Sequence, residues 1–300
     1  MSEEPARQGR WPVVAPYDLG LTTRFLRTGG GDPTFRREPD GFWRASWTPD
    51  GPATLRVGSD AEGVWGMAWG PGADAALAAA PRLLGLHEDP WQLDGHPVVE
   101  RLLREHPGLR MNDTGDVFEA LVITVLQQLV TWEEAVASYR KLVERCGEPA
   151  PGPAGLLLPP TPRAVRDASM AALVACGVAE RRVQVLRDAA SYARRLQGAA
   201  EMSSPDAMAH LQKLPGIGPW TASSVLGHRL GRPDVALTGD LHLPRTVAYV
   251  LTGRAEGDDE AMLALLAPYE GQIFRVQRLI MMAGPKPPRR SPKPTLWANR

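Results

Sequence analysis

A carboxylate, an indole and two glycines hold most of the chemistry this sequence can offer. Asp240, in TGDLHLPRTVAYVL, stands where a loop ends and an apolar helical pattern begins. A carboxylate at a helix start accepts backbone N–H groups and sits at the positive end of the helix dipole, which suits an anion. Such an anion can stabilise positive charge that develops on a reacting group, or orient and deprotonate a water molecule. The same placement also serves a helix that only needs a cap. Asp234 is a second carboxylate nearby, but it follows Pro233 in a turn and reads as solvated loop charge. His242 reads as a helix-surface residue.

The glycines lie upstream in LQKLPGIGPWTASSVLG, Leu211 to Gly227. Leu214-Pro215-Gly216-Ile217-Gly218 falls between two helical patterns, Ser204–Lys213 and about Pro219–Leu230. Glycine permits positive φ and close approach of another backbone. Pro219 suits the first turn of the second helix. The free N–H groups at such a start converge on an anion, and a phosphate is the natural one. Ile217 is expected to plug the gap between the helices. A tight helix–helix turn is the plainer reading of the same residues. Trp220 follows at once, and Asp240 comes 20 residues after it.

Those residues need a scaffold, and the rest of the chain supplies one. The sequence has 300 residues, 43% hydrophobic and 23% charged, with formal net charge zero. That is ordinary globular composition, and uniform basic binding to nucleic acid is excluded, so any such footprint is local. Cys146 and Cys176 are too few for a four-cysteine cluster or a zinc site, and no iron–sulfur cluster or other cofactor is expected. The start, MSEEPARQGRWP, has no apolar core of a signal peptide, and no run approaches membrane-span length. A cytoplasmic, soluble protein is the expectation.

The fold class expected is α+β, mainly α. Residues 1–93 read as a small N-terminal α+β domain, with strands at Phe42–Trp47, Ala53–Gly58 and Val64–Trp69 and a helix over Gly72–Gly85. Residues 94–285 read as an all-helical body. Its segment Asp116–Gly147 is apolar nearly all round in the first half, which predicts a buried central helix, broken near Thr131–Glu133. Further helices are expected at about Pro162–Cys176, Ala179–Leu196, Leu241–Leu251, Asp258–Ala267 and Gln272–Ala283. Ser204 is expected to cap the helix before the hairpin. Residues 286–300, basic and proline-rich, read as a tail that either tracks phosphates or is a solvated terminus.

LPGIGPWTASSVL resembles the helix–hairpin–helix motif of the HhH-GPD DNA glycosylase superfamily. RPDVALTGDLHL (Arg232–Leu243) resembles the segment that carries its catalytic aspartate. FEALVITVLQQLVT (Phe118–Thr131) and LVACGVAERRVQVLRDAA (Leu173–Ala190) are similar to helices of its methyladenine glycosylase branch, and the N-terminal part to the extra β-rich domain of the bacterial type. The resemblance implies a catalytic Asp240 and a DNA-binding hairpin of Leu214, Pro215, Gly216, Ile217, Gly218 and Thr221. A monovalent cation on the carbonyls of Leu214 and Ile217 is implied as well.

It also implies base-pocket walls at Trp220 and Tyr269, and an intercalating wedge at Gln128 and Leu129. Core packing is the plainer role for Trp220 and for Leu129. Lyase-type members carry a lysine where this chain has Trp220, so a hydrolytic enzyme without lyase activity is implied. Its substrate would be double-stranded DNA with damaged bases, alkylated ones foremost, and a nucleoid-associated monomer is implied with it. Ser224 stands where the bacterial type has a pocket aromatic, which leaves the lesion range open. Glycosylases for deaminated or oxidised bases, and a non-catalytic DNA-binding protein, are the alternatives.

Overall fold

The computed structural model describes residues 7–288. Its N-terminal part is one antiparallel sheet of five strands in the order β1-β5-β4-β3-β2. The strands are β1 (Arg7–Trp11), β2 (Phe35–Glu38), β3 (Gly41–Thr48), β4 (Gly51–Asp60) and β5 (Gly63–Trp69). The central three are those the sequence predicts. The two outer strands are additions: RQGRW and FRRE are rich in arginine, which hides the apolar alternation but suits an edge strand. Phe35, buried, opens β2.

Two helices precede or follow the strands, α1 (Leu19–Thr22) between β1 and β2 and α2 (Ala73–Leu83) after β5. Leu55, Val57 and Val64 share a core with Ala76, Ala80 and Leu83 of α2. A separate cluster is closed by the proline-rich connector, where Ala150, Ala154, Leu156 and Leu158 join Ala45, Trp43 and Trp47. Trp47 Nε1 donates to the Pro159 carbonyl at 2.8 Å and pins that connector.

The helical body comprises α3 (Pro97–Glu105), α4 (Val117–Leu126), α5 (Trp132–Cys146), α6 (Pro162–Asp167), α7 (Met170–Val174), α8 (Glu180–Ser191), α9 (Ala193–Leu196), α10 (Ser204–Leu211), α11 (Pro219–Ser224), α12 (Leu243–Thr252), α13 (Asp259–Leu266) and α14 (Ile273–Ala283). Every residue of α4 is buried, as its all-round apolarity predicts. Its one acid, Glu119, pairs with Arg44 of β3 through oxygens at 2.9 and 2.8 Å. Sheet and body are thus joined by a buried ion pair.

Several boundaries differ from expectation for local reasons. The helix before the hairpin is capped by Ser203, whose hydroxyl accepts from Asp206 N, so Ser204 is its first helical residue rather than its cap. The segment at Pro162–Cys176 breaks because Ser169 caps a second helix, and Ala179–Leu196 is interrupted at Tyr192. The helix after the hairpin widens into a π turn over Val225–Arg229. Among the described residues, no helix is long and apolar enough to cross a membrane. The tail beyond residue 288 lies outside the described residues.

Candidate active site

Asp240 is anchored from three directions. Its Oδ1 accepts the N–H groups of His242 and Leu243, both at 2.8 Å. Its Oδ2 accepts Trp220 Nε1 at 3.1 Å. The helix proper begins at Leu243, and Asp240 caps it from two residues before the boundary position, His242. The turn that presents it uses Gly239 at φ +75°, where a side chain would be strained. Gly239 N donates to Asp259 Oδ2 at 2.7 Å, so the first turn of α13 holds the loop from behind. Nothing in the sequence pattern marks Asp259 for this task.

Trp220 lies in the first turn of α11, half-buried, and packs against the core cluster that holds Leu237, Leu243 and Tyr269. It therefore does both things open to an aromatic there: it packs, and it leaves part of its face to solvent. Tyr269 is enclosed in that core at 3% exposure, its hydroxyl buried beside Gly95. Ser224, one helical turn beyond Trp220, is buried. His228 is packed between Phe25, stacked at 5.6 Å, and the edge of Phe274 at 4.9 Å. Burial, with Arg278 and Arg229 nearby, pushes the imidazole down to about 3, so it stays neutral.

The hairpin is shaped as its glycines suggest. Gly216 has φ +86°, and a Cβ on it would come within 2.4 Å of Val185 Cγ2 in α8, so glycine is required twice over. Gly218 is extended, and a Cβ there would meet no protein atom within 4 Å. Its bare face is open to whatever approaches from outside. Leu214 and Ile217 are both buried in the helical core, and Ile217 N closes the turn on the Leu214 carbonyl at 3.0 Å. That carbonyl keeps one lone pair, so the pair Leu214 and Ile217 could still hold a cation. The first-turn N–H groups of α11 have no acceptors inside the helix.

Gln128 and Leu129, adjacent in sequence, part company in space. Gln128 Nε2 donates to the Gly216 carbonyl at 3.0 Å and to Thr221 Oγ1 at 2.9 Å, so its amide is bound to the hairpin. Leu129 is 99% exposed at φ +56°, and is the one residue other than glycine with positive φ among the described residues. It is not a core leucine. The contacts run unbroken from Gln128 through Thr221 to its neighbour Trp220 and on to Asp240. Hairpin, indole and carboxylate are thus linked through the first turn of α11. Asp234 stands apart, accepting from Ser204 Oγ at 2.7 Å.

Residues 122–270 match the model of the HhH-GPD superfamily of base excision DNA repair proteins. The helical body belongs to that superfamily. A curated relative, DNA-3-methyladenine glycosylase 2 of Escherichia coli, is 34% identical over 172 residues, which cover 56% of this chain and 60% of the relative. The chain thus spans less than two thirds of that protein's length. A 3-methyladenine DNA glycosylase from Archaeoglobus fulgidus superposes with a TM-score of 0.80 over 91% of this chain and 97% of that one, at 20% identity. An 8-oxoguanine glycosylase/lyase from Clostridium acetobutylicum, in complex with DNA, gives 0.70 over 92% and 97%, at 12% identity. The last two likenesses establish that sheet and HhH-GPD body form a shared fold.

Proposed function

We propose that this protein is a DNA N-glycosylase that hydrolyses the bond between the sugar C1′ and an alkylated base in double-stranded DNA, and so initiates base-excision repair. One observation carries the reading: Asp240 is fixed by three donors, one of them the indole that replaces the lysine of lyase-type members. The relatives named above as methyladenine glycosylases favour alkylated bases.

The chemistry follows from the positions. A backbone phosphate sits on the open Gly218 face and the start of α11, and the Leu214 and Ile217 carbonyls are the groups that would hold a monovalent cation, which would add positive charge there. The target base leaves the stack and meets the exposed part of Trp220. N-alkylated purines such as 3-methyladenine and 7-methylguanine are cationic, and an indole face attracts a cation. Their glycosidic bond is already weakened, so the catalyst need only stabilise the sugar cation that forms as the base departs with the bonding electrons. Asp240 supplies the negative charge for that step. Water adds to C1′ and gives up a proton to Asp240 or solvent, leaving a free base and an abasic sugar in an unbroken strand.

Leu129 fills the space the base vacates. Tyr269 contributes from within the core against which Trp220 packs.

Incubation of the protein with duplex DNA carrying single methylated, deaminated or oxidised bases tests this directly. Release of methylated purines is expected to be fastest. Release of none of these bases overturns the enzyme reading, and faster release of deaminated or oxidised bases overturns the alkylated preference.

A further inference from the structure

We propose that Arg182 and Gln128 are positioning residues that hold Leu129 in its exposed, left-handed conformation and tie it to the hairpin. The proposal rests on the reading of this surface as a DNA glycosylase site.

A leucine at φ +56° is sterically disfavoured, and an apolar side chain 99% exposed gains nothing from burial. Such a residue persists only where its surroundings over-determine it. Here three anchors do so. Arg182 Nη1 donates to the Leu126 carbonyl at 2.8 Å, closing the C-terminal end of α4 just before the loop. Gln128 makes its two bonds to Gly216 and Thr221. Thr131, on the far side, caps α5 in a reciprocal pair with Glu134, whose carboxylate accepts Thr131 N at 2.8 Å.

These anchors share a base. Arg182 and Val185 lie on one helix, α8, and Val185 is the residue against which Gly216 fits. The end of α4, from which the loop leaves, touches α8 through Arg182, α8 touches the hairpin through Val185, and the hairpin touches the loop through Gln128. This closed triangle fixes the distance between the hairpin and Leu129. Gripping a phosphate and filling the gap beside it then become one docking event, with no separate ordering of the loop. Gln128, whose amide is occupied in this way, is a strut and Leu129 alone is the wedge.

The measurement is single-turnover release of a methylated purine by the full chain, with 2-aminopurine fluorescence beside the lesion reporting base extrusion. Arg182→Met, Gln128→Ala and Leu129→Ala are compared, together with Arg182→Met in the Leu129→Ala background. Each single variant is expected to lower extrusion and release about tenfold. The double variant is expected to be no slower than Leu129→Ala, because a strut has nothing left to position. Arg182→Lys, which keeps a donor for the Leu126 carbonyl, is expected to restore most of the loss. Wild-type rates in Arg182→Met, or losses that multiply in the double variant, would overturn the proposal while leaving the glycosylase reading intact. No release by the wild type would instead sink that reading. If Arg182→Met does not fold, the Gln128→Ala and Leu129→Ala pair decides by the same criterion.

Discussion

Trp220 Nε1 donates to Asp240 Oδ2 at 3.1 Å, across 20 residues of chain. The indole thus orients the carboxylate. Trp220→Phe removes this donor and keeps an aromatic face. A hydrogen bond to a charged group contributes about 1.5–3 kcal/mol. Base release is expected to slow roughly tenfold or more at saturating DNA, with little change in DNA affinity. A variant slowed only through weaker binding would contradict the orienting role.

Trp220 also has no nucleophilic amine. Product DNA is expected to keep an intact strand at the abasic site until alkali is added, and borohydride is expected to trap no covalent adduct. A trapped enzyme–DNA species would place a lysine elsewhere in the site and contradict the hydrolytic mechanism.

The two hairpin glycines separate folding from binding. Gly216→Ala meets Val185 at positive φ and is expected to lower stability by about 1–3 kcal/mol in urea titration. Gly218→Ala meets open space and is expected to leave stability within about 0.5 kcal/mol of wild type. Its methyl group nevertheless stands where a phosphate would approach, so duplex affinity is expected to fall. Unchanged duplex affinity in Gly218→Ala would argue against a phosphate on that face.

Two buried groups bend the stability–pH curve in opposite senses. Burial, with Glu119 nearby, pushes the Asp116 carboxyl up to about 6 from an ordinary 3.8. The folded state therefore favours its protonated form. That contribution is full below the unfolded value and is lost as pH rises through about 6. His228 is held down to about 3 from 6.5, so the unfolded chain binds a proton that the folded chain refuses, and stability is lost as pH falls from about 6.5 toward 3. Asp116→Asn keeps an acceptor for Glu119 N and is expected to abolish the loss on raising the pH. His228→Asn is expected to lessen the loss on lowering it. Urea midpoints between about pH 4 and pH 7 check both, and slope changes of the same sign in the two variants would contradict this account.

The residues legible in the sequence are those whose role is local. Gly216 and Gly218 announce a turn, Pro219 a helix start, and Asp240 an acceptor before a helix. The all-apolar α4 announces its own burial. What escapes local reading depends on partners far along the chain. Gln128 looks like part of a helix end until Gly216 and Thr221 are beside it, 88 and 93 residues away. Arg44 is a strand arginine like its neighbours until Glu119 meets it. Asp259 looks like a first-turn helix acid until Gly239 N is seen to donate to it. The outer strands escape because edge positions tolerate the charges that erase an apolar alternation. Leu129 gives no sign of positive φ, since leucine rarely adopts it.

Asp240→Asn tests the central claim most directly. Asparagine keeps the size of the side chain and an oxygen for the His242 and Leu243 N–H groups, and removes the charge. Methylated-purine release from duplex DNA is expected to fall by at least about a thousandfold, with affinity for an abasic-site analogue preserved within a few fold. Release at the wild-type rate by Asp240→Asn would contradict the account.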